Sequence, residues 1–159
     1  MPGYGVPDAL DGALAWSWAE ERLLRNHNYW LATASADGRP HVLPVWGVWR
    51  PDPAAFVFSC GPASRKAGNL AATGRAGVAV DDTVECVSVE GVARVIEAGE
   101  PGREEWIAAY MAKYGPLEPE LSAEFVRGHL MVEVTPTRAF AIIERADEFA
   151  TRATRWVFD

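Results

Sequence analysis

The chain has 159 residues, of which 49% are hydrophobic and 23% are charged, a balance typical of one folded domain rather than a disordered segment. It carries 22 acidic and 15 basic residues, and the net charge of −7 excludes general binding to nucleic acid or anionic membranes, so an anionic ligand would need a local basic site. No apolar run is long enough to span a membrane, no signal peptide is recognised, and the two cysteines lack paired spacing, so a cytoplasmic protein is expected.

The N-terminal part, residues 1–27, is predicted to be an irregular arm followed by a helix. The helix is expected to begin at Asp8, because Leu10, Leu14 and Trp18 recur every four residues.

Three strands are predicted next, over residues 29–34, 41–49 and 55–60. Asp37-Gly38 lies between the first two, and this pair indicates a hairpin turn because both residues tolerate positive φ. Pro44 cannot donate a backbone hydrogen bond, which indicates an edge or a bulge in the second strand.

The rest of the chain alternates short helices with strands. A helix is predicted over residues 64–72, with Ser64 as its N-cap, and a weaker helix over 117–126. Between them, a helix after Pro101 would place its aromatic residues on one face and Lys113 on the polar side. Further strands are expected at residues 77–80, 84–97 (with a bulge at Gly91), 129–134 and 138–143.

Six or seven strands joined mostly by short turns predict a small antiparallel barrel with helices packed outside it. The expected fold is therefore mainly β with small helices (α+β), and residues 1–159 are expected to form a single domain.

Several kinds of site are excluded by missing motifs. The chain has no dinucleotide-binding glycine pattern, no P-loop and no nucleophile elbow. Its three histidines show no metal-ligand spacing, so no metal site is expected, and Cys60 and Cys86 are expected to be core residues.

The segment from Ser59 to Leu70 is the strongest candidate for a binding site. It joins the end of a strand to the N-cap of a helix, and Arg65 and Lys66 occupy the first turn of that helix. Cations are unfavourable beside the positive end of a helix dipole, and Lys66 is one of only two lysines among 15 basic residues. This pattern indicates a phosphate site.

The order of four segments resembles the pyridoxamine 5′-phosphate oxidase-like split-barrel flavoproteins. The segments are Asp37-Gly38-Arg39-Pro40-His41-Val42, Phe56-Val57-Phe58-Ser59, Ser64-Arg65-Lys66-x-x-Asn69-Leu70 and Val89-Glu90-Gly91-Val92-Ala93. The segments Trp30-Leu31-Ala32-Thr33, Pro44-Val45-Trp46-Gly47 and Ala153-Thr154-Arg155-Trp156 are similar to one branch, the actinobacterial flavin/deazaflavin oxidoreductases of the B class, which bind coenzyme F420.

This resemblance implies a split β-barrel homodimer with a cofactor cleft at each side of the interface. It implies that the cofactor phosphate is held by Ser64, Arg65, Lys66 and Asn69. The ring system would lie along Pro44, Val45 and Trp46 and near Ser59, with Trp156 supplied by the partner subunit. Arg39, Arg50 and Arg65 would line a groove for the acidic tail of F420.

The sequence departs from true pyridoxamine-phosphate oxidases at two places. Trp46-Gly47-Val48-Trp49 replaces the lysine expected late in the second strand, and Arg155-Trp156-Val157-Phe158 replaces the Arg-Leu-x-Pro ending. Vitamin B6 oxidation is therefore not expected. Gly68 stands where relatives often carry another basic residue.

Three functions remain open from the sequence. The first is an F420-dependent reductase that transfers a hydride to a small unsaturated organic acceptor, with no catalytic side chain identified. The second is an FMN-dependent oxidase or reductase of the same fold. The third is a non-catalytic protein that binds a flavin, a deazaflavin or a haem-type tetrapyrrole.

Overall fold

The computed structural model describes residues 13–158, which contain seven strands and five short helices. The strands are β1 (Asn28–Ala34), β2 (Pro40–Pro51), β3 (Ala54–Cys60), β4 (Arg75–Val80), β5 (Glu85–Ile96), β6 (Leu130–Ile143) and β7 (Thr154–Val157). The helices are α1 (Trp16–Arg25), α2 (Arg65–Thr73), α3 (Arg103–Tyr114), α4 (Ala123–Arg127) and α5 (Phe149–Arg152).

The strands form one antiparallel sheet in the order β3-β2-β1-β4-β5-β6-β7, which closes on itself because β3 also pairs with β6. Six strands make the closed barrel, and β7 is an additional strand on β6. The predicted fold class, a mainly β split barrel with small helices, is confirmed.

The hydrophobic core has two parts because the barrel is lined inside and covered outside. The interior contains alternate strand residues such as Leu31, Phe56 and Phe58, each at most 1% exposed. A second cluster lies outside the barrel, where α3 packs its residues Trp106, Tyr110 and Tyr114 against β2, β3 and β6. Successive side chains of a strand point to opposite faces of the sheet. Under α3, one set therefore fills the barrel interior and the other packs against the helix, so both faces of these strands are apolar.

A bulge allows β6 to run unbroken through Pro136, which corrects the prediction of two separate strands. The register of β5 and β6 shifts between Glu90 and Gly91, and Gly91 lies opposite Pro136. A Cβ atom at Gly91 would approach the Thr135 carbonyl oxygen to 2.3 Å. The predicted bulge is therefore confirmed, and it accommodates Pro136, which has no backbone N–H to donate to β5.

Two predicted helices are shorter than expected. Residues 13–15 are not helical, because the Leu14 N–H donates to Thr154 Oγ1 of β7 at 2.9 Å, and α1 begins at Trp16; residues 8–12 lie outside the described part of the chain. The weak helix predicted over 117–126 is reduced to α4, whose N-cap Ser122 accepts a hydrogen bond from the Phe125 N–H. None of the helices within residues 13–158 combines the length and hydrophobicity needed to cross a membrane.

The bulge generates a prediction about stability. Gly91→Ala places a methyl group against backbone atoms that cannot move aside, so we expect the free energy of unfolding to fall by about 1–3 kcal/mol in urea denaturation. Gly68→Ala is the control, because a Cβ atom there meets nothing within 4 Å and alanine is favoured inside a helix. That variant should be slightly more stable than the wild type. Equal stability of Gly91→Ala and the wild type would contradict the assignment of the bulge.

Candidate functional site

The candidate cleft lies where β2 and β3 part. Pairing of these strands starts at Gly47 opposite Phe58, whereas β2 pairs with β1 from Pro40 to Trp46. Trp46 and Ser59 lie one residue beyond the last β2–β3 pair. The N-terminal half of β2 therefore has a free edge on the side where β3 ends.

The predicted ring-binding residues do not all present side chains at this edge. Pro44 is exposed and Trp46 is half-buried, both on the outer face of β2, whereas Val45 points into the barrel and is 9% exposed. Ser59 is half-buried; burial raises the pKa of the nearby Tyr110, and the Ser59 hydroxyl opposes that rise. Val45 therefore contributes backbone rather than side chain to this part of the cleft.

Four residues, 61–64, separate the end of β3 from the first residue of α2. Ser64 is its N-cap, as predicted, and its hydroxyl accepts a hydrogen bond from the Ala67 N–H at 3.3 Å. Arg65 is exposed and Lys66 is half-buried. Within residues 13–158, neither cation forms a salt bridge.

Several other arginines are held by carboxylates, although Arg75, Arg138 and Arg155 also form no salt bridge within residues 13–158. Glu85 contacts Arg22, Arg25 and Arg145, and Glu133 contacts Arg50 and Arg94. The two cations of α2 thus remain available to a ligand in an acidic protein. A phosphate group fits this position, because the first-turn N–H groups, the Ser64 hydroxyl and both cations favour an anion.

Asn69 points away from solvent. Its side chain is 5% exposed, and its Nδ2 donates to Thr33 Oγ1 of β1 at 3.0 Å. The amide donor is thus used to attach α2 to the barrel. Its predicted contact with a phosphate stays a prediction.

Burial raises the pKa of the Cys60 thiol at the end of β3, and the nearby Ser64 hydroxyl and Lys66 ammonium oppose that rise. The thiol therefore stays protonated. Cys60 acts as a small core residue, as predicted, rather than as a nucleophile.

Two predicted aromatic positions lie elsewhere within the chain. Trp49 is 3% exposed, and its indole N–H donates to Glu20 of α1 at 3.2 Å, so it lies in the core rather than in the cleft. Trp156 is half-buried and packs edge-on against Trp16, with ring centroids 5.4 Å apart. Its predicted contribution to a partner's cleft stays a prediction.

The contacts of Arg50 remove it from the proposed arginine groove. Arg50 donates to the Pro53 carbonyl at 2.9 Å, lies over the Trp106 ring at 4.5 Å and approaches Glu133 at 3.6 Å. Arg39 is exposed, with only the exposed Asp37 at 3.7 Å. Arg39 and Arg65 remain available, whereas Arg50 is committed to the packing of α3.

The structure reveals a polar cluster that the sequence analysis missed. Lys113 Nζ donates to Tyr29 OH at 2.7 Å and to the Gly47 carbonyl at 2.9 Å. Burial lowers the pKa of Lys113 to about 8. The prediction that Lys113 is on the polar side of α3 is therefore wrong. The spacing of seven residues from Trp106 could have shown this, because two helical turns return to the same face.

A pocket of about 360 Å³ lies at the C-terminal end of α1, lined by Arg22, Arg25, Asn26, His27, Asn28, Val80, Asp81 and Asp82. Glu85 neutralises its two arginines. In the described part of the chain, no group of three or more His, Cys, Asp or Glu residues is placed to hold a metal ion.

Comparison with known proteins gives a family and a consistent fold. Comparison with curated protein sequences gives no significant match. The haem storage protein HutZ of Vibrio cholerae superposes with a TM-score of 0.60 and 16% identity, over 89% of this chain and 90% of that one. An FAD-binding protein of Mesorhizobium loti superposes with a TM-score of 0.63 and 19% identity, over 79% and 92%. A conserved hypothetical protein of Mycobacterium tuberculosis superposes with a TM-score of 0.68 and 19% identity, over 84% of this chain and 88% of that one.

These likenesses, all below 25% identity, concern the fold alone. The profile described as pyridoxamine 5′-phosphate oxidase matches residues 19–142, which include the barrel strands β1 to β5, most of β6 and the whole of α2. The chain therefore belongs to the pyridoxamine 5′-phosphate oxidase family of split-barrel proteins.

Proposed function

We propose that this protein is an F420-dependent reductase that binds the cofactor phosphate at the N-terminus of α2. The observation that carries the proposal is the pair of cations, Arg65 and Lys66, which form no salt bridge in the described part of the chain although its acidic residues outnumber its basic ones. Membership of a family whose relatives include a flavin-binding protein supports a flavin-type cofactor.

The residues of the chain would bind and orient the cofactor. Ser64 and the first-turn N–H groups donate hydrogen bonds to the phosphate, and Arg65 and Lys66 supply positive charge. The edge of β2 at Pro44 and Trp46 offers apolar surface for a ring system. When bound, the reduced deazaflavin supplies the hydride for a small unsaturated acceptor, and the protein supplies position and electrostatics. No side chain is assigned as a proton donor, and solvent can fill that role.

F420 is preferred to FMN because the cleft is open at the free edge of β2. An acidic tail could extend from the α2 phosphate site toward Arg39, which is exposed. FMN, with its short phosphate arm, is the alternative cofactor. Haem binding without turnover is the second candidate function, favoured by the structural likeness to the haem storage protein HutZ.

A homodimer is proposed from an uncovered apolar face of the sheet. Trp30 of β1 is 46% exposed and Val42 of β2 is 52% exposed. Strand register places them on the outer face beside Ala32, Pro44 and Ala79, since Trp30 lies opposite both Pro44 and Ala79. This face adjoins the free edge of β2, so a second copy seated on it would supply the missing wall of the cleft.

Lys66→Ala tests the phosphate site. Loss of one charge-assisted hydrogen bond is worth roughly 1.5–3 kcal/mol, so F420 affinity should fall about tenfold to hundredfold in a fluorescence titration, with an unchanged melting temperature. Arg152→Ala is the control, because it removes one positive charge as Lys66→Ala does, but from an exposed side chain on α5. A lower melting temperature with unchanged affinity for Lys66→Ala would mean that Lys66 is structural.

Val42→Glu tests the dimer. The wild type should sediment with the mass of two chains at micromolar concentration, and a buried carboxylate at the interface should give a single-chain mass with weaker cofactor binding. Leu117→Glu changes a side chain that is 55% exposed in the segment after α3 and should leave the dimer intact. A wild-type protein that sediments as a monomer would overturn the shared-cleft arrangement.

A further inference from the structure

Two side chains of α3 replace the missing backbone partner of Gly47. The last pair between β1 and β2 is Asn28 opposite Trp46, so the next residue, Gly47, has no strand partner on that side. The Gly47 N–H donates to Tyr114 OH at 2.7 Å, and that hydroxyl lies 2.6 Å from the His27 carbonyl, to which it can donate. Lys113 donates to the Gly47 carbonyl. The hydroxyl of Tyr114 therefore bridges the two chain segments where direct pairing has ended.

The neighbouring Trp46 is held by the same helix. Its ring stacks on that of Tyr114, with centroids 4.7 Å apart and planes 5° from parallel. Tyr114 is fully buried, which fixes the orientation of the stacking surface. Trp46 pairs with Asn28 of β1 on one side and has no strand partner on the cleft side, so the Tyr114 ring is what restrains its side chain there.

Lys113 is poorly suited to a purely structural role. No carboxylate within residues 13–158 forms a salt bridge with it, and its ammonium lies 4.8 Å from the centroid of the Tyr29 ring. Burial raises the pKa values of Tyr29 and Tyr114, so both hydroxyls stay neutral and cannot compensate the cation. Asp81 acts on Tyr29 only through space, and Tyr110, the other titratable group on this face of α3, is also neutral.

The burial of Lys113 therefore costs stability. Its pKa in the folded protein is about 8, below the ordinary value of 10.5, so the folded state binds fewer protons than the unfolded chain between these pH values. Stability consequently rises as the pH rises through this range, and the charged form at neutral pH is the less stable one. An apolar side chain of similar length would pack there at lower cost.

We propose that Lys113 is a positioning residue that, together with Tyr114, fixes Gly47 and thereby holds Trp46 at the wall of the cofactor cleft. This inference rests on the proposed function for its effect on binding, but the placement of Trp46 can be measured without any ligand. Loss of the ammonium removes one of the two donors at the Gly47 carbonyl, leaving only the Tyr114 hydroxyl at 2.8 Å, and loosens the Trp46 segment. The cost in stability is offset by a defined surface for the cofactor ring.

Lys113→Met is the test, with Glu105→Gln, an exposed change on the same helix, as its control. Trp46 emission is isolated by subtracting the spectrum of a Trp46→Phe counterpart in each background. In the wild type without ligand, this emission should change with an inflection near pH 8, and Lys113→Met should abolish the inflection and increase quenching by acrylamide. The melting temperature of Lys113→Met at pH 7 should equal or exceed that of the wild type.

Titrations with F420 and with FMN complete the test. Lys113→Met should bind whichever of the two the wild type binds about tenfold more weakly, and Glu105→Gln should bind it normally. Wild-type protein that binds neither would refute the proposed function, while the ligand-free Trp46 emission would still decide the role of Lys113. A lower melting temperature with unchanged Trp46 emission in Lys113→Met would overturn the inference and make Lys113 structural.

Discussion

The pairing of β3 with both β2 and β6 closes the barrel, and it also determines where the barrel opens. β3 pairs with β2 only as far as Gly47, and its last two residues, Ser59 and Cys60, pair with β6 alone, so residues 40–46 of β2 have no partner on that side. The chain then turns through Gly61–Ser64 into α2, whose N-terminus follows the end of β3 directly. A cleft with a free strand edge on one side and a helix N-terminus beside it follows from the point at which β3 parts from β2.

The first turn of α2 places two adjacent cations, which form no salt bridge within residues 13–158, at a helix N-terminus. Glu85 attaches α1 to the barrel through Arg22, and Glu133 of β6 neutralises arginines of β2 and β5. Arg65 and Lys66 do not take part in these ion pairs. A net charge of −7 repels anions in general, whereas two available cations at the positive end of a helix attract one at a single place. This contrast favours a small anionic ligand over a polymeric one.

Local signals in the sequence predict the features that depend on neighbouring residues. They fail for strand continuity and side-chain burial, which depend on contacts between residues far apart in the chain. The Ser64 N-cap and the bulge at Gly91 follow from residue type and spacing, and both were predicted. Thr135-Pro136 predicts a strand break, and only Gly91, 45 positions earlier in the chain, lets the strand continue through it. The helical pattern puts Lys113 on the polar side of α3, and only the approach of β2 shows what it binds.

Equilibrium binding of F420, FMN and haem to the apoprotein tests the central claim most directly. Each titration is repeated with Lys66→Ala, since all three ligands are anionic but haem carries carboxylates and no phosphate. The account predicts that F420 binds tightest, quenches tryptophan fluorescence and loses affinity in the variant. Tight binding of haem that is indifferent to Lys66, with no binding of F420 or FMN, would contradict it.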